Sequence, residues 1–556
     1  MNQAHPAGPS ERLLRESILL MLGFLSVVLM TDPRGNVPLN DDWNFALSTW
    51  HFADTGEFRF SRLTAMSLRA QVVWGALWTT VFGRSFEVLR ASTLLLSAAT
   101  ILMLQQLLAF LRIGRWVRVM VCAAFLFQPL FFWSSFTFMT HVPYVFLSIL
   151  AFYLLMRGVI EDRIGFTVLA SLAVIGSYFV RQTGIVNGLV ALMVLFSLRR
   201  TVPLRRKRAH MLVASIPVVV FVFLYAFTSL LEGYAGQIRE HLTIWDARGL
   251  KLAANIFEIV MRDVVMNFQY AALLMVPLVA AFLVLPRTKR GVLLLLVLIL
   301  PFLWVSITLW SLGNPMPYRV KGEVLINLGL GPPTLRDTWN EGLPYPFHLA
   351  TFATTVLTLI SAIGGAWLLW TLIQYRDMGN PDLSTQAGAR SMARRYSLLH
   401  MALATAALFA SGLYFDRYVL DSLWSLSIFI PVVAEERLVR FRIISVVLVV
   451  LFAIFSVGAT QEYLDWNRAR WRALGDLQSK GVTLDRIDGG YEINQYLIGG
   501  FDGPIRLRRP GFSVIDDEFV LTFQELPGYR DIASYPYTGF FGLRHGSVHV
   551  LERVLR

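Results

Sequence analysis

The run GVLLLLVLILPFLWVSITLWSL, Gly291–Leu312, carries no charged side chain in 22 positions. Wound as an α-helix it is about 33 Å long, enough to cross a hydrocarbon core of about 30 Å. A helix apolar on every face belongs in lipid or in a very large core. The chain has 556 residues, of which 55% are hydrophobic, and runs of this kind recur from Leu13–Thr31 to Ile443–Val457. Counting them gives about thirteen expected spans, one of them Val119–Trp133. Only helices and closed barrels satisfy the backbone in lipid, and apolar runs this long exclude a barrel. The fold class expected is therefore an α-helical polytopic membrane protein. Ala70–Gly83 is apolar but short, and is laid in the interface instead of across the bilayer.

The formal charge of +13 is placed unevenly. Basic residues cluster at Arg112–Arg118, Arg199–Arg208, Arg287–Arg290, Arg390–Arg395 and Arg437–Arg442. With the N-terminus cytoplasmic, all five clusters fall on the inner side, as the positive-inside rule requires. That placement explains the charge without a nucleic-acid partner. It puts residues 31–85, 134–142, 232–262, 313–347, 416–418 and everything after Gly458 outside. The first apolar run reads as a retained span, not a signal peptide. The lone Cys122 rules out an intrachain disulfide and a cysteine metal site. Two parts are expected: a membrane domain over 1–460, with its first outer loop at 32–85, and a small extracytoplasmic soluble α+β domain over 461–556. In the latter, Gln461–Gln478 reads as helix, and Phe512–Ile515 and Phe519–Phe523 as strands.

Just beyond the first span stands Asn40-Asp41-Asp42-Trp43-Asn44-Phe45-Ala46. Adjacent carboxylates there are either solvated loop charges or catalytic groups at the bilayer surface. As a general base, one acid takes the proton of an attacking acceptor hydroxyl while the other holds the acceptor or orients the first. Trp245, Tyr318, Trp339 and Tyr345 in the long outer loops are either sugar-stacking residues or membrane-belt aromatics. Asp488 and Glu492 are either glycan-binding acids or acids in turns.

The pattern around the pair carries a resemblance. Asp54-Thr55-Gly56-Glu57, the segment Gln71–Trp78 and Phe82-Gly83-Arg84-Ser85-Phe86-Glu87-Val88-Leu89-Arg90 follow in order. Phe138-Met139-Thr140-His141-Val142-Pro143, Arg181-Gln182-Thr183-Gly184 and Asp416-Arg417-Tyr418 come later, all on one expected face. Together these resemble the GT-C superfamily of membrane glycosyltransferases, in the branch of protein O-mannosyltransferases and lipid A aminoarabinose transferases. The resemblance implies a GT-C type fold in a bacterial plasma membrane, acting on the cell envelope (lipopolysaccharide or other glycan modification). It implies an inverting enzyme that takes a sugar from a polyprenyl-phosphate-linked donor to a lipid, glycan or protein hydroxyl on the outer face. Asp41 would be the catalytic base and Asp42 its support. Arg69, Arg181 and Arg417 would bind the donor phosphate, with His141 and Tyr418 beside them as substrate-binding residues. The structural alternative for each arginine is an interfacial anchor whose stem runs along lipid.

Two departures stand out. The His-Pro-Pro that often opens the interfacial segment is Ser67-Leu68-Arg69-Ala70-Gln71 here, and His141 stands where relatives usually carry Asp. No cluster has metal-ligand spacing, so neither a metal nor another cofactor is expected. The expected partners are the donor, the acceptor and membrane lipids. The tail lacks the β-trefoil-like insert of some protein-modifying relatives, which favours a glycan or lipid acceptor. The competing reading is a lipid-linked sugar flippase or transporter without transferase activity. It asks for polar residues within the spans and an inverted repeat; the spans read as poor in such residues, and no repeat is visible.

Overall fold

The computed structural model describes residues 9–61, 63–198, 204–230, 261–280, 286–318, 322–375, 383–411, 414–501, 514 and 516–554. Helix α1 (Pro9–Thr31) leads to α2 (Asp42–Thr55) and α3 (Arg69–Phe82), which pack on each other at one end of the bundle. Next come α4 (Phe86–Phe110), α5 (Arg115–Phe127), α6 (Pro129–Ser135), α7 (His141–Ile160), α8 (Ile164–Val180), α9 (Ile185–Ser197) and α10 (Leu204–Leu230). Helix α11 covers 261–274, followed by the short α12 (Val276–Val279) and by α13 (Lys289–Ser311). Beyond a loop bearing the small hairpin β1 (Leu325–Ile326) and β2 (Gly329–Leu330) and the turn α14 (Arg336–Trp339) lie α15 (Thr351–Gln374), α16 (Gln386–Ser411), α17 (Leu420–Arg440) and α18 (Arg442–Ser479).

The expected apolar runs are mostly helical where they are described. Among the described residues, eight helices are long and apolar enough to cross a membrane: α1, α4, α7, α10, α13, α15, α17 and α18. A ninth candidate is a bent pair of helices. The expected span Val119–Trp133 is two helices, α5 and α6, bent by 68°. The cause is Pro129, which has no N–H to continue α5; Gln128 caps the restart by accepting from the Leu130 N–H at 3.1 Å.

Helices α1 and α13 turn leucines outward (Leu19, Leu22, Leu293 and Leu300 are all more than half exposed), whereas α17 is buried nearly all round. The spans also hold more buried polar side chains than the sequence led us to expect. They are paired between helices: Asn187 with Ser148 at 2.9 Å, His400 with Ser425 at 2.7 Å, Gln269 with Ser306 at 2.8 Å and Asn267 with Thr405 at 3.1 Å. Such pairs act as interhelical glue in a solvent that offers polar groups no partner.

The basic loops gather at one end. Glu16 of α1 meets Arg115 at 3.1 Å and Arg118 at 2.7 Å. Glu435 meets Arg390 at 2.9 Å, Arg395 donates to Ser197 Oγ at 2.7 Å, and Arg206 pairs with Asp162 at 2.5 Å. Asp41, Arg181, Asp416 and the tail meet at the opposite end.

No break separates the last span from the tail. Helix α18 is one rod of 38 residues, about 57 Å long. The residues expected to be helical at Gln461–Gln478 are its distal half. Beyond it lie β3 (Ile487–Asp488), α19 (Tyr491–Ile493), β4 (Phe519–Thr522), β5 (Tyr529–Gly539) and β6 (Arg544–Arg553). The sheet order is β3-β4-β6-β5, parallel only between β3 and β4. The other strand expected, Phe512–Ile515, falls outside the described residues except for Val514, as does Trp245.

Candidate functional site

The site begins with a turn. Asn40 takes φ +54°, a conformation Asn tolerates better than most residues. Asp42 Oδ1 then accepts from the Leu39 N–H at 2.6 Å. That bond ties the second acid back onto the turn and turns the first outward. Asp42 is 2% exposed, and burial pushes its carboxyl up to about 8 against the pull of Arg90. Asp41 keeps 31% of its side-chain surface. Two adjacent acids thus have opposite environments, and of the two only Asp41 is partly open to solvent.

Behind the turn stands Arg90, 1% exposed at the head of α4. Its guanidinium donates to the carbonyls of Phe136 at 2.9 Å, Gly35 at 3.1 Å, Val37 at 3.1 Å and Pro33. Four carbonyl dipoles solvate the buried cation and fix the path of residues 33–37 into the turn.

Both Asp41 oxygens have partners. Oδ1 accepts the Tyr491 hydroxyl at 2.7 Å, and Oδ2 lies 3.6 Å from Nη2 of Arg417. Tyr491 comes from the tail. Its ring stacks on Trp339 (centroids 6.0 Å apart, 18°) and meets the edge of Trp43 at 6.3 Å. The backbone of this segment runs close against the loop at 334–335. Gly490, at φ +87°, is needed there, because a Cβ would come within 2.6 Å of the Thr334 carbonyl oxygen. Glu492, fully buried, locks the junction: it accepts from the Asn40 N–H at 3.0 Å, from Arg470 Nη1 at 2.9 Å and from the Thr334 hydroxyl. This acid belongs to the packing and offers nothing to a glycan. Asp488 likewise accepts from its own turn, from the Gly490 N–H at 3.2 Å and Asn494 Nδ2 at 2.8 Å.

Arg417 is held just as firmly. The neighbouring Asp416 carboxylate accepts the backbone N–H groups of Leu325 and Arg417, each at 2.6 Å, and Val324 at 3.0 Å. Glu323 returns the contact by accepting from the Asp416 N–H at 2.9 Å, and Arg417 Nη1 donates to the Gly322 carbonyl. Burial beside the Asp416 carboxylate pushes the Glu323 carboxyl well above the usual carboxylate range.

From Arg417 a cationic wall extends around Tyr418. The Arg181 guanidinium lies 5.1 Å from the ring centroid and that of Arg417 lies 6.0 Å from it, with the His141 imidazole at 6.3 Å. Both ring nitrogens of His141 and the Nε atoms of Arg181 and Arg417 are buried with no hydrogen-bond partner among the described residues. Unused buried polar groups are uncommon in folded proteins, and here several of them lie around one tyrosine ring. Arginine in particular matches the oxygen geometry of phosphate.

The structure therefore brings together Asp41, Arg417, Tyr418, Arg181 and His141, with Asp42 one layer behind. Arg69 begins α3, next to Leu68, whose N–H donates to the Val180 carbonyl at 3.2 Å; its guanidinium lies 5.5 Å from the Phe60 ring centre. That places it at the rim near Arg181. Tyr491, Arg90 and Arg470 were not singled out in the sequence, whereas Trp339 was, as a stacking or membrane-belt aromatic, and Glu492 was, as a glycan-binding acid or an acid in a turn. A lone arginine in an apolar run was the signal for Arg90. For Tyr491, 450 residues from its partner, there was none beyond a Gly-Gly turn. Among the described residues no three His, Cys, Asp or Glu side chains are grouped so as to hold a metal ion.

No protein-family model matches the chain, and no curated protein matches it in sequence. Among solved structures, it is similar to ArnT from Cupriavidus metallidurans in the apo state, at TM-score 0.40 and 11% identity over 98% of each chain. The same protein bound to undecaprenyl phosphate gives TM-score 0.39 and 11% identity over 96% of this chain and 97% of that one. The archaeal oligosaccharyltransferase AglB from Archaeoglobus fulgidus, in complex with an inhibitory peptide and a dolichol-phosphate, gives TM-score 0.40 and 14% identity over 91% of this chain and 62% of that one.

Proposed function

We propose that the protein is an inverting glycosyltransferase of the bacterial plasma membrane, using a polyprenyl-phosphate-linked sugar at the outer face. The observation that carries this reading is one partly exposed carboxylate, Asp41, 3.6 Å from the first arginine of a buried wall with unused donors. An acceptor hydroxyl gives its proton to Asp41 as its oxygen forms a bond to the anomeric carbon. The bond from that carbon to the phosphate oxygen breaks, and the polyprenyl phosphate leaves as an anion. Arg417 and Arg181, with His141 and Tyr418, hold the phosphate where charge develops, and Arg69 meets the headgroup at the rim. One displacement with one base inverts the anomeric centre. Asp42 supports the turn from behind. A glycan or lipid hydroxyl is the acceptor class the tail favours.

The test is transfer of radiolabelled sugar from polyprenyl-phosphate donors in membranes, comparing wild type with Asp41→Asn. Loss of a general base lowers the rate by about 10²–10⁴-fold, so label reaching an acceptor in wild type should nearly vanish in the variant. Undiminished transfer by Asp41→Asn removes the reading. Labelled lipid-linked sugar crossing the bilayer of vesicles with no transfer product replaces it with a flippase.

A further inference from the structure

The β5–β6 hairpin lies along the distal half of α18 and points back toward the membrane. Tyr535 donates to Asp476 at 2.7 Å, and Arg472 to the Pro536 carbonyl at 3.2 Å. One turn after another down the helix, Gly539 packs on Glu462 and Phe540 on Gly458. The Phe540 N–H reaches the Gly458 carbonyl at 3.4 Å, and the Phe541 N–H donates to Gln461 Oε1 at 3.0 Å. Arg544 fastens the base of the tip, donating to the Leu328 carbonyl at 2.9 Å beneath the Phe540 ring.

Counting along α18 fixes the depth. The apolar part starts at Ile443, after the Arg437–Arg442 cluster, so Gly458 and Gln461 lie about 22 and 27 Å further along the axis. A hydrocarbon core is about 30 Å thick. The tip therefore reaches the outer edge of the hydrocarbon, not the water beyond it.

The side chains at that edge are apolar and turned outward. The connection Phe540-Phe541-Gly542-Leu543 puts two phenylalanines at φ +51° and +60°, which bulky residues rarely adopt. Leu543 is 81% exposed, the most exposed large apolar residue among those described, and Phe541 is 41% exposed. The outward-facing apolar stripe of α18 runs through Ile443, Val447, Val450 and Ile454. Its next position is Gly458, where a side chain is missing and the ring of Phe540 sits instead. The tip continues the lipid-facing stripe by one more turn.

We infer that the hairpin tip, Phe541 and Leu543, is inserted in the outer leaflet at the boundary of hydrocarbon and headgroups, and that it anchors the tail to the lipid surface. The occupant of this apolar face is lipid. Its continuity with the stripe of α18 distinguishes it from a patch awaiting a soluble protein.

The experiment uses the full chain in nanodiscs, with Cys122→Ser and a single cysteine carrying an NBD fluorophore. The label is placed by Leu543→Cys, by Phe541→Cys or, as a reference far from the tip on β5, by Ile532→Cys, a residue 40% exposed. Labels at 543 and 541 should emit blue-shifted light and be quenched several-fold more by lipid-borne doxyl groups than the label at 532. Labels at 543 and 541 that emit and quench like that at 532 overturn the inference. Shielding at 543 that persists in detergent, with cross-linking between copies and no quenching by lipid, assigns the face to a second copy and also overturns it. The two tip positions back each other should one substitution fail to fold. Neither readout depends on transferase activity.

Discussion

Asp41 and Asp42 are neighbours in opposite environments, and the difference between them has a thermodynamic consequence. Asp42 is held near 8 by burial, against an ordinary 3.8. The folded state therefore keeps a proton that the unfolded chain has lost. Stability that is full below pH 3.8 is withdrawn as pH rises, until it levels off beyond about 8. Asp42→Asn, neutral throughout, should flatten this dependence. Between pH 5 and 9 the thermal midpoint of the wild type should fall more steeply in detergent than that of the variant, which keeps the like-signed dependence of the raised Glu323 carboxyl. A wild type whose midpoint rises with pH contradicts the assignment. Tyr491 makes a second case at this scale. Its hydroxyl holds Oδ1 of Asp41, so Tyr491→Phe removes one hydrogen bond and little volume. If that bond orients the base, kcat should drop about tenfold while donor KM stays within about twofold, as misorientation of a catalytic group costs rate more than binding. The acid pair was legible in the sequence, but which acid is exposed was not. That choice depends on the Leu39 N–H and on a tyrosine from the far end of the chain.

At the scale of elements, apolar runs were the most legible, because lipid offers no alternative to a helix. What the runs did not reveal was their breaks and continuations. Pro129 splits one expected span into two. From Arg442 to Ser479, by contrast, there is no proline, and the glycines at 458 and 475 are too few to stop a helix, so the last span runs straight on into the tail. That continuation carries Arg470 to Glu492, both 0% exposed, and so joins α18 to the first outer loop and to Thr334. Removing one partner of a buried ion pair leaves the other uncompensated and costs about 3–5 kcal/mol, whereas replacing both with apolar residues is often nearly neutral. Glu492→Leu should therefore lower the thermal midpoint sharply, and Arg470→Met on top of it should restore much of the loss. A double variant no more stable than Glu492→Leu alone would mean that the pair does not act as a unit, and that the bonds to Asn40 and Thr334 carry the junction.

Across the whole molecule, the basic loops and the cluster around Asp41 lie at opposite ends. The ion pairs of Glu16, Asp162 and Glu435 tie arginines of the basic loops to neighbouring elements. At the far end, loops separated by hundreds of residues converge on Asp41. This convergence was only partly legible: the charge pattern assigned loops to faces, but the meeting of residues 41, 181, 417 and 491 depends on helix packing that no local pattern encodes. The grouping itself makes the proposed function depend on orientation, because a polyprenyl-phosphate donor used at the outer face requires the end bearing Asp41 to be outside. Basic loops resist translocation, so the end holding Arg115, Arg206 and Arg390 should face the cytoplasm. With Cys122 buried, single cysteines can report this: Ser479→Cys at the distal end of α18, and Glu161→Cys between α7 and α8. A membrane-impermeant maleimide added to intact spheroplasts should label Ser479→Cys fully. It should label Glu161→Cys only after permeabilisation. The reverse pattern would place Asp41 and its arginine wall in the cytoplasm, where the reaction would have to draw on a donor of the inner leaflet and the positive charge would be outside.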